Sequence, residues 1–265
     1  MAKKLRIDKL LAHMGLGTRS EIKKAVKQGK VTVDGKVAKD SGLIVDPAVQ
    51  AVAYEGEPVV YRDVVYLMLN KPQGVISATE DGRERTVIDL LEPDDRLLQP
   101  FPVGRLDKDT VGLLLLTNDG QLAHELLSPR KHVDKTYEAW VLGDVGSDDA
   151  DAFASGVELD DGYVTMPAEL TILEKAEATD MDREQAGDEK FASPIRSLIR
   201  LTIREGKFHQ VKRMFESVGK KVLTLKRISM GPLLLDEGLE QGQYRELTED
   251  EVELLRAHRG IVKTK

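Results

Sequence analysis

With 265 residues, 41% hydrophobic and 32% charged, the chain exceeds one small core and suits two globular domains of unequal size. It has no cysteine, which excludes disulfides, thiol catalysis and thiolate metal sites. Its five histidines (His13, His124, His132, His209, His258) show no metal-ligand spacing. No apolar run approaches the ~20 residues of a membrane span, and the basic start MAKKLRIDKLLAHMG lacks a secretory signal's apolar core, so a metal-free cytoplasmic protein is expected.

Charge is unevenly spread beneath a net −7. Residues 1–30 carry nine Lys/Arg against two Asp/Glu, residues 204–227 eight against two, and residues 144–190 three against fifteen. Two basic blocks in an acidic chain suit a surface that tracks phosphates, with the acid placed elsewhere. Two solvated faces would give the same composition.

Ile7, Leu10, Leu11 and Met14 are spaced as one stripe of a short helix that Gly15 can end. Thr18-Arg-Ser-Glu21 has capping-box spacing for a second helix burying Ile22, Ala25 and Val26, and Gly29 closes it. Val31-Thr-Val33, Asp34-Gly35 and Lys36-Val37 predict a tight hairpin, because Asp-Gly accepts the positive φ of a type I′ turn. Lys9, Arg19, Lys23, Lys24 and Lys27 fall on the polar sides of the two helices. The stretch RIDKLLAHMGLGTRSEIKKAVKQGKVTVDGKV, residues 6–37, resembles the S-four RNA-binding domain, named after a ribosomal protein. The resemblance implies structured RNA as partner for a domain of residues 1–60 and leaves the chemistry open.

Beyond Tyr61 the pattern is mixed α and β. Residues 64–69 are an apolar run of strand length, ended by the turn-rich Asn70-Lys-Pro-Gln-Gly74. Residues 82–104, with three prolines, predict a long loop. Leu113-Leu-Leu-Leu116 suits a strand buried on both faces, and a short helix with Leu122 and Leu126 must end before Pro129. Tyr137, Ala139 and Val141 alternate as a strand, as do Ile199, Leu201 and Ile203. Residues 174–194 are acidic and poor in large apolar groups, so an exposed loop is expected there. Val211, Met214, Phe215 and Val218 stripe a helix closed by Gly219, and Thr248-Glu-Asp-Glu251 caps a last helix bearing Val252 and Leu255.

Gly104-Arg-Leu-Asp107-Lys-Asp109-Thr110-Val-Gly112 places two carboxylates in one Gly-flanked loop ahead of the buried strand. Glycoside hydrolysis needs two separated carboxylates flanking a sugar bond, which nearby spacing cannot establish. A cation loop would show more acids and EF-hand spacing, and a lone loop Asp is as a rule a turn or cap residue. Taken whole, G-R-L-D-x-D-T-x-G-L-L-L-L-T-N-D-G resembles the signature of pseudouridine synthases of the RsuA and RluA superfamily. Asn70-Lys-Pro-Gln-Gly-Val75 resembles the family's first motif, Lys135-Thr-Tyr137 its active-site tyrosine segment, and Glu205-Gly-Lys-Phe-His-Gln-Val-Lys212-Arg-Met214 its basic C-terminal motif. With the N-terminal module, the resemblance runs from about residue 3 to residue 255. HQVKRM and the overall layout look most like the RsuA branch.

The resemblance implies an α+β chain: a small α/β RNA-binding module, then residues 61–265 as a catalytic domain on a mixed, mainly antiparallel β-sheet. It implies isomerisation of a uridine to pseudouridine with no cofactor and no metal, by Asp107 attacking either the anomeric carbon or carbon-6 of uracil. A carboxylate in a closed pocket tends to take up a proton as it is desolvated, so a nearby cation is needed; the resemblance puts Lys212 there. Tyr137 would stack on uracil and assist proton removal, and Arg105 would fill the stack left by an extruded base or hold its phosphate. Lys207 and Arg213 read as phosphate contacts, His209 and Gln210 as residues positioning the motif, Asp109 and Thr110 as shaping the loop. The implied partner is ribosomal RNA, 16S rRNA or a small-subunit assembly particle, met by a monomer without membrane contact. The alternatives are a synthase acting on 23S rRNA, a nucleosidase, and a non-catalytic RNA-binding ribosome-assembly factor. The last has no need for the Asp107, Tyr137 and Lys212 set.

Overall fold

The computed structural model describes residues 4–187 and 189–258. By its contacts the chain divides into two units: residues up to Val65 together with Leu91–Pro100, and Tyr66–Leu90 together with Phe101 onward. Sequence reading leaves residues 91–100 with the second domain; here they cluster with the first.

In the first unit, β1 (Leu5–Arg6) leads into α1 (Ile7–His13) and α2 (Arg19–Lys27). The Thr18 capping box forms as the spacing requires: Glu21 N donates to Thr18 Oγ1 at 3.3 Å and Thr18 N to Glu21 Oε2 at 2.7 Å. Strands β2 (Val31–Val33) and β3 (Lys36–Val37) make the hairpin, with Asp34 at φ 50° and Gly35 at φ 74°. β4 (Ile44–Val45) pairs with β1, while β5 (Val52–Tyr54) and β6 (Glu57–Pro58) extend the hairpin sheet in the order β3-β2-β5-β6. Ile7, Leu10, Leu11, Ile22, Val26 and Val31 form the core. Each such side chain contributes about 1.5–3 kcal/mol on full burial, so this small module has its own reason to fold. Its last helix, α3 (Pro93–Leu97), starts with proline at its first turn, where no N–H is missed.

The second unit is built on a nine-stranded sheet. Along the chain it comprises β7 (Tyr66–Lys71), β8 (Phe101–Pro102), β9 (Val111–Thr117), β10 (Lys135–Leu142), β11 (Glu169–Glu177), β12 (Ile195–Ile203), β13 (Lys221–Met230), β14 (Leu233–Leu234) and β15 (Tyr244–Glu246). The order is β11-β12-β10-β13-β9-β7-β15, with β8 on β9 and β14 on β13. Among the described pairings of this sheet only β9 and β13 run parallel, at Val111↔Lys226 and Gly112↔Arg227. Helices α4 (Gly120–Leu127), α5 (Ser147–Ser155), α6 (Asp180–Ala186), α7 (Gln210–Ser217) and α8 (Glu249–Ala257) complete it. No described helix is long and apolar enough to cross a membrane. The α+β class, the small N-terminal module and the mainly antiparallel sheet are those expected.

Register places Lys71, Gly112, Arg227 and Tyr137 in one row across β7, β9, β13 and β10. Gly112 sits at φ 102°, and a Cβ there would meet the Arg227 carbonyl oxygen at 2.3 Å. Only glycine lets these two strands approach so closely at that conformation.

Two expectations fail. Residues 82–104 are not one long loop: they hold a 3-10 turn at Val87–Leu90, helix α3, which Pro93 starts rather than breaks, and strand β8. Residues 174–194 are not an exposed loop. They contribute the end of β11, helix α6 and a single 3-10 turn at Glu189–Phe191. β11 pairs along its length with β12 as the outer strand, where charged side chains are tolerated. Thr179 caps α6 through a capping box with Asp182, and Ala178 and Ala186 bury against Leu142. Small residues at the two buried positions hide the apolar stripe from a composition-based reading.

Candidate active site

The loop between β8 and β9 carries Asp107, and its backbone is fixed on every side. Leu106, 5% exposed, anchors it, with Leu106 N donating to Ser77 Oγ at 3.0 Å and Ser77 Oγ to the Leu106 carbonyl at 2.9 Å. Gly74 N donates to the Lys108 carbonyl at 2.8 Å, and Thr110 N to the Asp107 carbonyl at 3.1 Å. Beneath it, the fully buried Lys71 ammonium donates to the carbonyls of Pro72 at 3.0 Å, Asp107 at 3.0 Å and Thr110 at 2.9 Å. An ammonium has three donors, and all three are used. Burial pushes Lys71 down from 10.5 to about 8, against the opposing pull of the Asp109 and Asp107 carboxylates.

With its backbone so held, the Asp107 carboxylate stands in an open cleft of about 480 Å³, whose walls include Gln73, Gly74, Asp109, His209 and Lys212. Asp107 Oδ2 lies 3.6 Å from Lys212 Nζ and 3.6 Å from His209 Nε2. Lys212, on α7, donates to both Asp109 oxygens at 2.7 and 2.8 Å. Burial works to raise the Asp109 carboxyl, but the bond and charge of Lys212 outweigh it and hold the group below its ordinary value. One ammonium thus serves two carboxylates: tightly paired with Asp109 and in Coulomb reach of Asp107. At 3.6 Å it supplies positive charge to Asp107 without occupying its lone pairs.

The turn before α7 is rigid. Gln210, 4% exposed, donates through Nε2 to Glu205 Oε1 at 2.7 Å and accepts from Lys207 N at 2.9 Å. Glu205 also accepts from Tyr163 Oη at 2.6 Å and Met166 N at 2.8 Å. His209 takes a left-handed φ of 50° as the helix N-cap, a conformation a non-glycine residue holds only when its surroundings fix it.

Of the other residues singled out in the sequence, Arg105 is exposed and makes no ion pair or hydrogen bond among the described residues. Tyr137 is 7% exposed on β10, opposite Arg227 and Leu201, and is not among the cleft walls. Lys207 lies over the Tyr163 ring at 4.3 Å, and Arg213 is held by Asp160 and Asp161. Lys9, Arg19, Lys23, Lys24 and Lys27 are all exposed on the first unit, and none has an ion pair among the described residues. Sequence reading assigns no role to Lys71 or to Arg227. The Arg227 guanidinium is 2% exposed and donates through Nε to the Leu113 carbonyl at 2.8 Å. Near it, burial and the Arg227 charge push Lys135 down to about 8. The unbroken Asn70-Lys71-Pro72 motif is the available signal for Lys71; Arg227 has none.

The family described as RNA pseudouridylate synthase matches residues 65–217, and the S4 domain matches residues 5–50. The chain is 53% identical over 251 residues to the uncharacterized RNA pseudouridine synthase YtzG of Bacillus subtilis, covering 95% of this chain and 98% of that protein. It is 39% identical over 250 residues to the ribosomal small subunit pseudouridine synthase A of Vibrio cholerae, covering 94% and 98%. It is 40% identical over 253 residues to the ribosomal large subunit pseudouridine synthase B of Bacillus subtilis, covering 95% and 96%. Among solved structures, a pseudouridylate synthase crystal structure superposes with TM-score 0.62 at 35% identity, over 95% of this chain and 99% of that one.

Proposed function

The chain belongs to the RNA pseudouridylate synthase family, and on that premise we propose that it isomerises one uridine of 16S ribosomal RNA to pseudouridine, with Asp107 as nucleophile. The observation that carries the reading is the Asp107 carboxylate, exposed to an open cleft, 3.6 Å from Lys212, on a loop whose carbonyls are tied down by buried Lys71. The reaction breaks a carbon–nitrogen glycosidic bond, turns the base and rejoins it through carbon-5, losing the carbon-5 proton to the nitrogen that is freed. Nothing is oxidised, and no atom is gained or lost. Asp107 adds to the anomeric carbon or to carbon-6 and later leaves. Lys212 stabilises the anion while bound RNA displaces water from the cleft. Tyr137 is assigned to stacking on the uracil and moving the carbon-5 proton, and Arg105, exposed and unpaired among the described residues, to the position the extruded base vacates.

The 16S target is supported by likeness to small-subunit synthases along nearly their whole length and by the HQVKRM segment. A comparable likeness to a large-subunit synthase supplies the second reading. Purified enzyme incubated with small-subunit particles, protein-free 16S rRNA, 23S rRNA and bulk tRNA, then mapped by carbodiimide chemistry, separates them. A single new pseudouridine confined to 16S rRNA is expected. One confined to 23S rRNA overturns the target and leaves the chemistry standing.

A further inference from the structure

Among the described residues Phe208 is the one exposed phenylalanine, tyrosine or tryptophan, at 75% exposure, while the other exposed large apolar groups are scattered aliphatics. Single exposed aliphatics are ordinary; a phenyl ring left in water beside a reaction cleft is not explained by packing. One face of the ring is stacked on His209, with centroids 3.7 Å apart and planes at 20°. His209 in turn lines the cleft and reaches toward Asp107. The two rings therefore make a short stack that begins at the nucleophile and ends on an aromatic surface open to solvent.

The turn that presents this stack is fixed rather than loose. Lys207 N and Gln210 Oε1 close it, Gln210 N returns to the Lys207 carbonyl at 3.2 Å, and Arg213 Nη1 donates to the Phe208 carbonyl at 3.4 Å while its other nitrogens are held by Asp160 and Asp161. A preset aromatic pair loses little entropy on binding a flat partner. Arg105 and Lys207, both exposed, add cationic groups within the same unit for the adjoining phosphates.

We propose that Phe208, backed by His209, is the stacking platform for the nucleobase next to the target uridine, so that extrusion of the uridine is coupled to capture of its neighbour. The proposal rests on the reading of the cleft as a pseudouridine-forming site. Phe208 is a positioning residue: it touches the flanking base and leaves bond-making to Asp107. Base–aromatic stacking tolerates any base because each has a π-face, so the pair contributes to affinity and placement and leaves base identity to be read elsewhere.

The test uses the full-length enzyme and a stem-loop cut around the uridine mapped for wild type, with 2-aminopurine at each flanking position in turn. Phe208→Ala and Phe208→Leu should lose about tenfold or more in kcat/KM, with unchanged melting temperature since the side chain is exposed; Phe208→Trp should restore activity. Fluorescence of 2-aminopurine at one flanking position should be quenched by wild type and by Phe208→Trp, and recover with Phe208→Leu. If Leu serves as well as Phe, or quenching at both positions is the same for all variants, the platform is refuted while pseudouridine formation stands. If wild type forms no pseudouridine in any rRNA, the underlying reading falls and the proposal with it.

Discussion

Replacing Lys71 by methionine tests whether a buried ammonium holds the Asp107 loop. Its value in the folded chain is pushed from 10.5 to about 8 by burial. At about 1.4 kcal/mol per tenfold change in acidity, the charged form is disfavoured by about 3 kcal/mol. At neutral pH its three bonds to carbonyls outweigh that penalty, because each hydrogen bond to a charged donor is worth about 1.5–3 kcal/mol. Lys71→Met should therefore be destabilised by a few kcal/mol at pH 7. The penalty is fully present below pH 8, where folded and unfolded chains both hold the proton. Between about 8 and 10.5 the folded chain releases it first, so stability rises with pH. From pH 7 to pH 10 this group should add about 2.5 kcal/mol to wild type and nothing to Lys71→Met. Lys135, also near 8, is present in both proteins and cancels in the difference. Urea unfolding of both proteins at the two pH values measures it, and NMR titration of labelled lysine follows Lys71 directly. Activity should move the other way: a neutral amine has two N–H groups for three carbonyls, so kcat falls above pH 8 as stability climbs. Equal pH increments in the two proteins would refute the reasoning.

Asp107→Asn should fold with an unchanged melting temperature and retain less than about a thousandth of wild-type turnover, read by tritium release from labelled uridine. Gly112→Ala should lose more than about 3 kcal/mol, because its Cβ falls 2.3 Å from the Arg227 carbonyl oxygen at a φ of 102°; a wild-type urea midpoint would contradict the close strand approach. Joint substitution of Lys23, Lys24 and Lys27 by glutamine should flatten the dependence of log affinity on log salt by about 0.9 for each duplex phosphate that these ammonium groups neutralise. It should leave kcat at saturating RNA unchanged, and an unaltered slope would remove those residues from the RNA-binding surface.

What the sequence reveals is local. The Thr18 capping box, the Asp34-Gly35 hairpin and the buried run 113–116 each depend on neighbours within a few positions, so spacing and turn chemistry suffice to find them. β13 is invisible to such a reading: KVLTLKRISM places Arg227 at an inward position where a strand pattern wants an apolar group, and that guanidinium is buried because two distant strands flank it. Lys71 is legible as part of a motif but not as a support, since two of its three carbonyl partners lie 36 and 39 positions away. Arg213 reads as a free phosphate contact; its pairing with Asp160 and Asp161 across 53 positions leaves no local trace.

The parallel pairing of β9 with β13 also governs when the site can come into being. β13 is inserted between β10 and β9, both made far earlier in synthesis, and α7 packs against it. Asp109 and Lys212, 103 positions apart, meet only across that late strand's neighbourhood. Until Lys221–Met230 is in place, the facing edges of β10 and β9 lack the strand that lies between them. Such edges invite association with other strands, and pairing over this separation in sequence is slow. Truncation ahead of β13 should therefore leave a chain more prone to aggregation and proteolysis than the full-length protein.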